Sequence, residues 1–109
     1  MMKKPVFIWE KRVLKRIDPD DIVCLIVKGN YTHVFTGPNT YCMVRATLGN
    51  ALKQLPAGEF VQIHRSVVVS LRYIGQINRD HIVIDERWET LPLAKPFYKP
   101  LLEMIAVIE

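Results

Sequence analysis

The chain has 109 residues, 50% of them hydrophobic and 24% charged, with a formal net charge of +4. That length specifies one domain, 1–109, and the composition excludes a disordered chain. No apolar run approaches the roughly 20 residues of a membrane span, and the start "MMKKPVFIWEKRV" lacks the apolar stretch of a signal peptide, so no membrane is expected and the location expected is cytoplasmic.

"VFIWE" and "RVLKRI" read as two short strands with an exposed basic side, and "DPDDI" as a turn. "IVCLIVK", residues 22–28, is a continuous β-branched apolar run, hence a buried strand. Gly29-Asn30 follows, with glycine where a type II′ hairpin turn needs it. The return strand "YTHVFT" alternates, so Tyr31, His33 and Phe35 share one face. "GPN" is a second turn and "TYCMVRA" a third strand. Leu48, Ala51, Leu52 and Leu55 then recur at helical spacing, with Thr47 placed as the cap and Pro56 and Gly58 as the stop. "FVQI", "YIGQIN", "HIVID" and "WETLPL" read as further strands. Pro96 and Pro100 predict a turn over 94–99 and a terminal helix over about 100–107, its apolar stripe being Phe97, Leu101, Ile105 and Ile108. The fold class is mostly β, about eight to ten short strands with one short internal helix and one C-terminal helix.

The charge is unevenly placed. Residues 1–16 hold Lys3, Lys4, Lys11, Arg12, Lys15 and Arg16 against Glu10, a local +5, which leaves the other 93 residues at −1. A basic balance suits a polyanion, but a near-neutral body requires a few placed side chains to do the recognising. Cys24 and Cys42 sit in apolar runs and read as buried thiols of a reducing compartment. His33, His64 and His81 are far apart, with no CxxC or HxxxH, so neither metal nor cofactor is expected. His64 and Ser66 share a strand face, but no orienting acid, nucleophile elbow or phosphate-cradling loop accompanies them, so no enzyme is expected.

Three polar tips each follow a strand, at 28–33, 64–66 and 95–99. If they converge, one edge carries Lys28, Asn30, Tyr31, His33, His64, Arg65, Lys95 and Lys99. Such a set suits phosphates and base edges. His33 is expected near the exposed tip of its hairpin. The alternative for Arg65 is a structural salt bridge. Tyr31, Tyr41, Trp88 and Tyr98 do not fall on one evident sheet face, which argues against a stacking platform for single strands.

The succession "KGNYTHVFT", "YCMVRATLGNALKQLP", "FVQIHRSVVVSLRYIGQI" and "LPLAKPFYKPL" resembles the LytTR DNA-binding domain, the output domain of many bacterial response regulators. The resemblance covers about residues 5–105, and its most specific part is the run His64, Arg65, Ser66, Val69, Ser70, Ile74. It implies an elongated antiparallel β assembly that inserts loops into successive major grooves of bent duplex DNA, with His33, Arg65 and Lys95 as the matching contact positions. It also implies transcription regulation, direct-repeat operators, pairing of two copies on DNA, and a receiver domain in a longer parent protein. The chain departs from the family pattern at Ser70, where asparagine is usual, and at "LAKPFY", where the family has an arginine in place of Lys95. The competing reading is a protein-interaction module of the same fold, using a strand edge or the stripe Leu101, Ile105, Ile108.

Overall fold

In the computed structural model, which describes residues 4–109, the chain opens with a hairpin of β1 (Val6–Glu10) and β2 (Val13–Ile17). Its turn is Lys11-Arg12, both at positive φ, a conformation usually left to glycine or asparagine. A single-turn 3-10 helix, Pro19–Asp21, follows, capped by the Asp18 carboxylate accepting from the Asp20 N–H. Next come β3 (Cys24–Lys28), β4 (Tyr31–Gly37) and β5 (Thr40–Val44). Gly29 alone carries positive φ in the β3–β4 turn, as a type II′ turn requires. α1 (Leu48–Lys53) is capped by the Thr47 hydroxyl accepting from the Asn50 N–H. Then follow β6 (Phe60–His64), β7 (Val67–Ser70), a 3-10 turn Leu71–Tyr73, β8 (Gln76–Ile77), β9 (His81–Val83), β10 (Leu91–Pro92) and α2 (Lys95–Glu103).

The strands form a two-stranded sheet β1-β2, a three-stranded sheet β10-β9-β8, and a five-stranded sheet in the order β5-β4-β3-β7-β6, every pairing antiparallel. Both faces of the large sheet are covered. Leu25, Val34, Phe60 and Val68 pack with Leu48 and Leu55 on the α1 side, while Cys24, Phe35, Val61, Ile63, Val67 and Val69 pack with Ile82, Leu91 and Leu101 on the other. Two covered faces explain why Val67, Val68 and Val69 are all apolar instead of alternating.

The C-terminal helix departs from the sequence expectation. It begins at Lys95 and ends at Glu103, not over 100–107. Pro96 lies in its first turn, where the missing N–H costs nothing, and Pro100 is accepted inside a nine-residue helix held by fully buried Leu101. Because Leu101 is core, the C-terminal stripe is not a continuous docking face; Ile105 and Ile108 lie beyond the helix. The segments "YIGQIN" and "WETLPL" form only two ladder residues each.

Cys24 pairs with Phe35 and Cys42 with Val34, neighbours in β4, so the two thiols point to opposite faces and are both free. Burial pushes the Cys24 thiol up to about 12.

Gly75 meets the next strand most closely. A Cβ built there falls 2.6 Å from the Ile84 carbonyl oxygen, while the Gly75 N–H donates to the Val83 carbonyl at 2.8 Å. Gly75→Ala is expected to destabilise the fold by about 1–3 kcal/mol, since backbone must yield. Chemical denaturation checks this, and an unchanged midpoint would mean the loop shifts freely.

Candidate nucleic-acid interface

The antiparallel order sends the C-terminal ends of β3 and β5 and the N-terminal ends of β4 and β7 to one edge of the five-stranded sheet. The turn at 65–66 is tied to β3 by the Val27 N–H donating to the Ser66 carbonyl at 2.9 Å. The start of α2 is tied to β6 by the Ala94 N–H donating to the Ile63 carbonyl at 2.8 Å, one residue before His64. The three tips anticipated from the sequence are therefore brought together by two long-range backbone hydrogen bonds. Lys28, Asn30 and Tyr31 stand at the β3–β4 turn, His64 and Arg65 at the β6–β7 turn, and Lys95 opens α2 with Lys99 one helical turn on.

Arg65 is exposed and has no carboxylate partner among the described residues, so the salt-bridge alternative fails. The contrast with cations elsewhere is clear. Arg72 at the opposite edge reaches Asp20 at 3.2 Å, Lys15 reaches Glu10 at 2.6 Å and Arg87 reaches Asp85 at 2.9 Å. The hydrogen bond from Arg87 holds the Asp85 carboxyl below its usual range, and that from Lys15 does the same for Glu10.

His64 is committed to the turn. Its Nδ1 accepts the Ser66 N–H at 3.1 Å, and the Gln62 side-chain amide donates to the His64 carbonyl at 3.2 Å, across a register shift between Gln62 and His64. The imidazole thus braces the residue that flanks Arg65. Lys28 and His64 also line one groove of about 700 Å³ with Ser66 and Trp88, and the Lys28 ammonium lies 6.0 Å from the Phe35 ring centroid.

His33 departs from expectation. It is the third residue of β4, paired with Ile26 and Met43, and only 8% exposed. Its ring lies 4.9 Å from that of Tyr41 and 6.3 Å from that of Phe35, and its buried Nδ1 has no hydrogen-bond partner. Alternation located its face correctly, but that face is covered rather than exposed. The aromatic side chains are also more gathered than the sequence suggested, because Tyr41 and Trp88 both contact Phe35, at 5.1 and 6.0 Å between ring centroids.

Arg45 was not anticipated. It follows β5 directly, is exposed, and lines a concavity of about 480 Å³ with Gly29, Asn30, Thr47 and Arg65. Two guanidiniums without carboxylate partners among the described residues, a side-chain amide and a hydroxyl around one hollow form a set suited to phosphate oxygens. The sequence reads Arg45 as part of the strand "TYCMVRA", and only the pairing of β5 with β4 brings it to the edge of the Gly-Asn turn.

A family model described as the LytTr DNA-binding domain matches residues 12–106, and the chain belongs to that family. The sensory transduction protein LytT of Bacillus subtilis (strain 168) is 27% identical over 95 residues, a match covering 84% of this chain and 39% of the relative, so the chain spans well under half of that protein's length. Among solved structures, the LytTr DNA-binding domain of a putative methyl-accepting/DNA response regulator from Bacillus cereus superimposes with a TM-score of 0.76 over 94% of this chain and 97% of that one, at 18% identity, which shows a shared fold. None of the described helices is long and apolar enough to cross a membrane.

The brace on the 65–66 turn is testable without a ligand. In His64→Asn the amide oxygen replaces Nδ1 as acceptor, and protection of the Ser66 amide from hydrogen exchange is expected to persist. In His64→Gln and His64→Ala it is expected to fall at least about tenfold, the equivalent of one lost hydrogen bond of roughly 1.4 kcal/mol. Equal protection in all three would show that the turn holds without the imidazole.

Proposed function

We propose that this domain binds double-stranded DNA in a sequence-specific manner through the edge formed by the β3–β4, β5–α1 and β6–β7 turns and the start of α2. Its role is transcription regulation, as the output part of a response regulator. The observation that carries the reading is the pair Arg45 and Arg65, exposed, without carboxylate partners among the described residues, and sharing a hollow with Asn30. Family membership supports the same conclusion.

Arg65 and Asn30 have the fork and amide geometry to read base edges, whereas Lys28, Lys95, Lys99 and Arg45 suit phosphate contacts. His64 acts through the turn, and His33 supports the sheet face from within the stack of Phe35 and Tyr41. Tyr31, exposed beside Asn30, adds a flanking contact. The spacing also fits a groove-spanning mode. From β5 to the segment beside β6 is five strand intervals, roughly 24 Å at about 4.8 Å each. Long side chains at both ends extend this toward the roughly 34 Å repeat of one face of the duplex, and bending the DNA toward the protein closes the remainder. Two copies on direct repeats, and a receiver domain elsewhere in the parent chain, complete this reading.

Selection from a random duplex pool, followed by titration at two salt concentrations, tests it. Arg65→Ala is expected to cost about 1–3 kcal/mol on the selected site and to relax its sequence preference. Lys95→Ala is expected to weaken all duplexes alike and to reduce the salt slope by about one. No enrichment, or indifference of both variants, would sink the proposal, and stronger binding of a single-stranded competitor would move it to another ligand.

A further inference from the structure

The β1–β2 hairpin forms no ladder with the large sheet and approaches it mainly beside β5, with Val6, Ile8 and Ile17 half-buried. Between hairpin, sheet and α1 lies a cleft of about 510 Å³, within the usual range of small-molecule sites. Its accessible lining is the half-buried Ile8, Ile17, Val44 and Ala51 with the exposed Trp9, over a floor of the core side chains Ile22, Leu25 and Val34. The cleft's only charged lining residue among those described is Arg45.

We propose that this cleft binds a single-tailed carboxylate, with its apolar chain against the half-buried Ile8, Ile17, Val44 and Ala51 and its head group on the Arg45 guanidinium. Charge complementarity selects the class. A planar fork lacking a carboxylate partner among the described residues matches a carboxylate bidentately, and the apolar interior matches an alkyl chain rather than a polar metabolite. Asn50 and Gln54, also in the lining, supply amides for the second oxygen. The same Arg45 lines the hollow with Asn30 and Arg65, and one guanidinium cannot serve both. Occupation of the cleft therefore withdraws a cation from the edge and weakens duplex binding; this second consequence rests on the function proposed above.

The probe is decanoate, followed by Trp9 emission in a Trp88→Phe chain, with decanol as the uncharged control. Decanoate is expected to saturate below its micellar concentration and to bind about tenfold or more tighter than decanol, the scale of one charge-assisted hydrogen bond. Arg45→Gln is expected to remove that preference, and Ala51→Phe to block both probes by filling the cleft, with circular dichroism confirming that each variant is folded. Non-saturating emission changes, or equal affinities insensitive to Arg45→Gln, would overturn the site. In the duplex arm, saturating decanoate is expected to weaken the chain's DNA binding to the level of Arg45→Gln and to leave that variant unaffected. Bound decanoate with undiminished duplex affinity would overturn the competition. A chain that binds no duplex at all would fail the proposed function instead, and the emission arm would still decide the cleft.

Discussion

The antiparallel register of β3 against β7 is the constraint on which the candidate interface depends. Cys24 faces Val69 and Ile26 faces Val67, and the ladder is extended at both ends by the Ser70 N–H to the Val23 carbonyl and the Val27 N–H to the Ser66 carbonyl, each at 2.9 Å. In most half-buried sheets a one-residue slip is prevented because it turns apolar side chains to water. Here both faces are buried and β7 offers valine at three successive positions, so polarity discriminates weakly between registers. The ends must supply what the middle does not. The two-residue Gly29-Asn30 turn, the Thr32 hydroxyl donating to the Ala46 carbonyl at 2.7 Å, and the His64 brace on Ser66 all sit near the candidate interface. The hydrogen bonds that fix the sheet are thus the same ones that aim the turns.

That economy bears on how a nearly neutral body recognises a polyanion. The cations at the edge arise from separate elements: Lys28 from β3, Arg45 after β5, Arg65 between β6 and β7, Lys95 from α2. No single helix or loop presents them, so their relative placement is set by backbone ladders rather than by one element's periodicity. A dense basic stripe would bind any duplex; a few cations held by a rigid sheet can favour one geometry. The denser charge of residues 1–16 lies on the hairpin and the segment before it. In that region Arg16 stacks over the Phe7 ring at 4.9 Å, and Phe7, Trp9, Val13 and Leu14 are all exposed.

Local features were legible in the sequence and long-range ones were not. The glycine of the β3–β4 turn, the Thr47 cap and the alternation of β4 follow from residue chemistry within a few positions, and each holds in the structure. Alternation placed His33 on the face of Tyr31 and Phe35, but it cannot say that Tyr41 lies across that face and closes it. The start of α2 was misplaced because two prolines read as breaks, whereas the buried Leu101 and the tie from Ala94 to Ile63 outweigh one lost donor. Convergence of the three tips was conditional in the sequence because it rests on partners dozens of residues apart. Arg45 was missed for the same reason. Nothing beside it marks a turn, and its neighbours Asn30 and Arg65 come from elsewhere in the chain.

The position of Arg45 makes it a different kind of residue from Arg65. Arg65 is carried by a turn braced on both sides, by His64 and by the tie from Ser66 to Val27, so its backbone is fixed whatever the side chain does. Arg45 follows the last residue of an edge strand, and its side chain borders two hollows, one polar and one apolar. A braced cation suits discrimination between base edges, which needs placement within a fraction of an ångström. A cation with two environments suits adjustment of affinity, because moving it would change the strength of the proposed phosphate contact without disturbing the turns proposed to read sequence. The proposed function thus assigns sequence preference to the β6–β7 turn and adjustment of binding strength to the junction of β5 with α1.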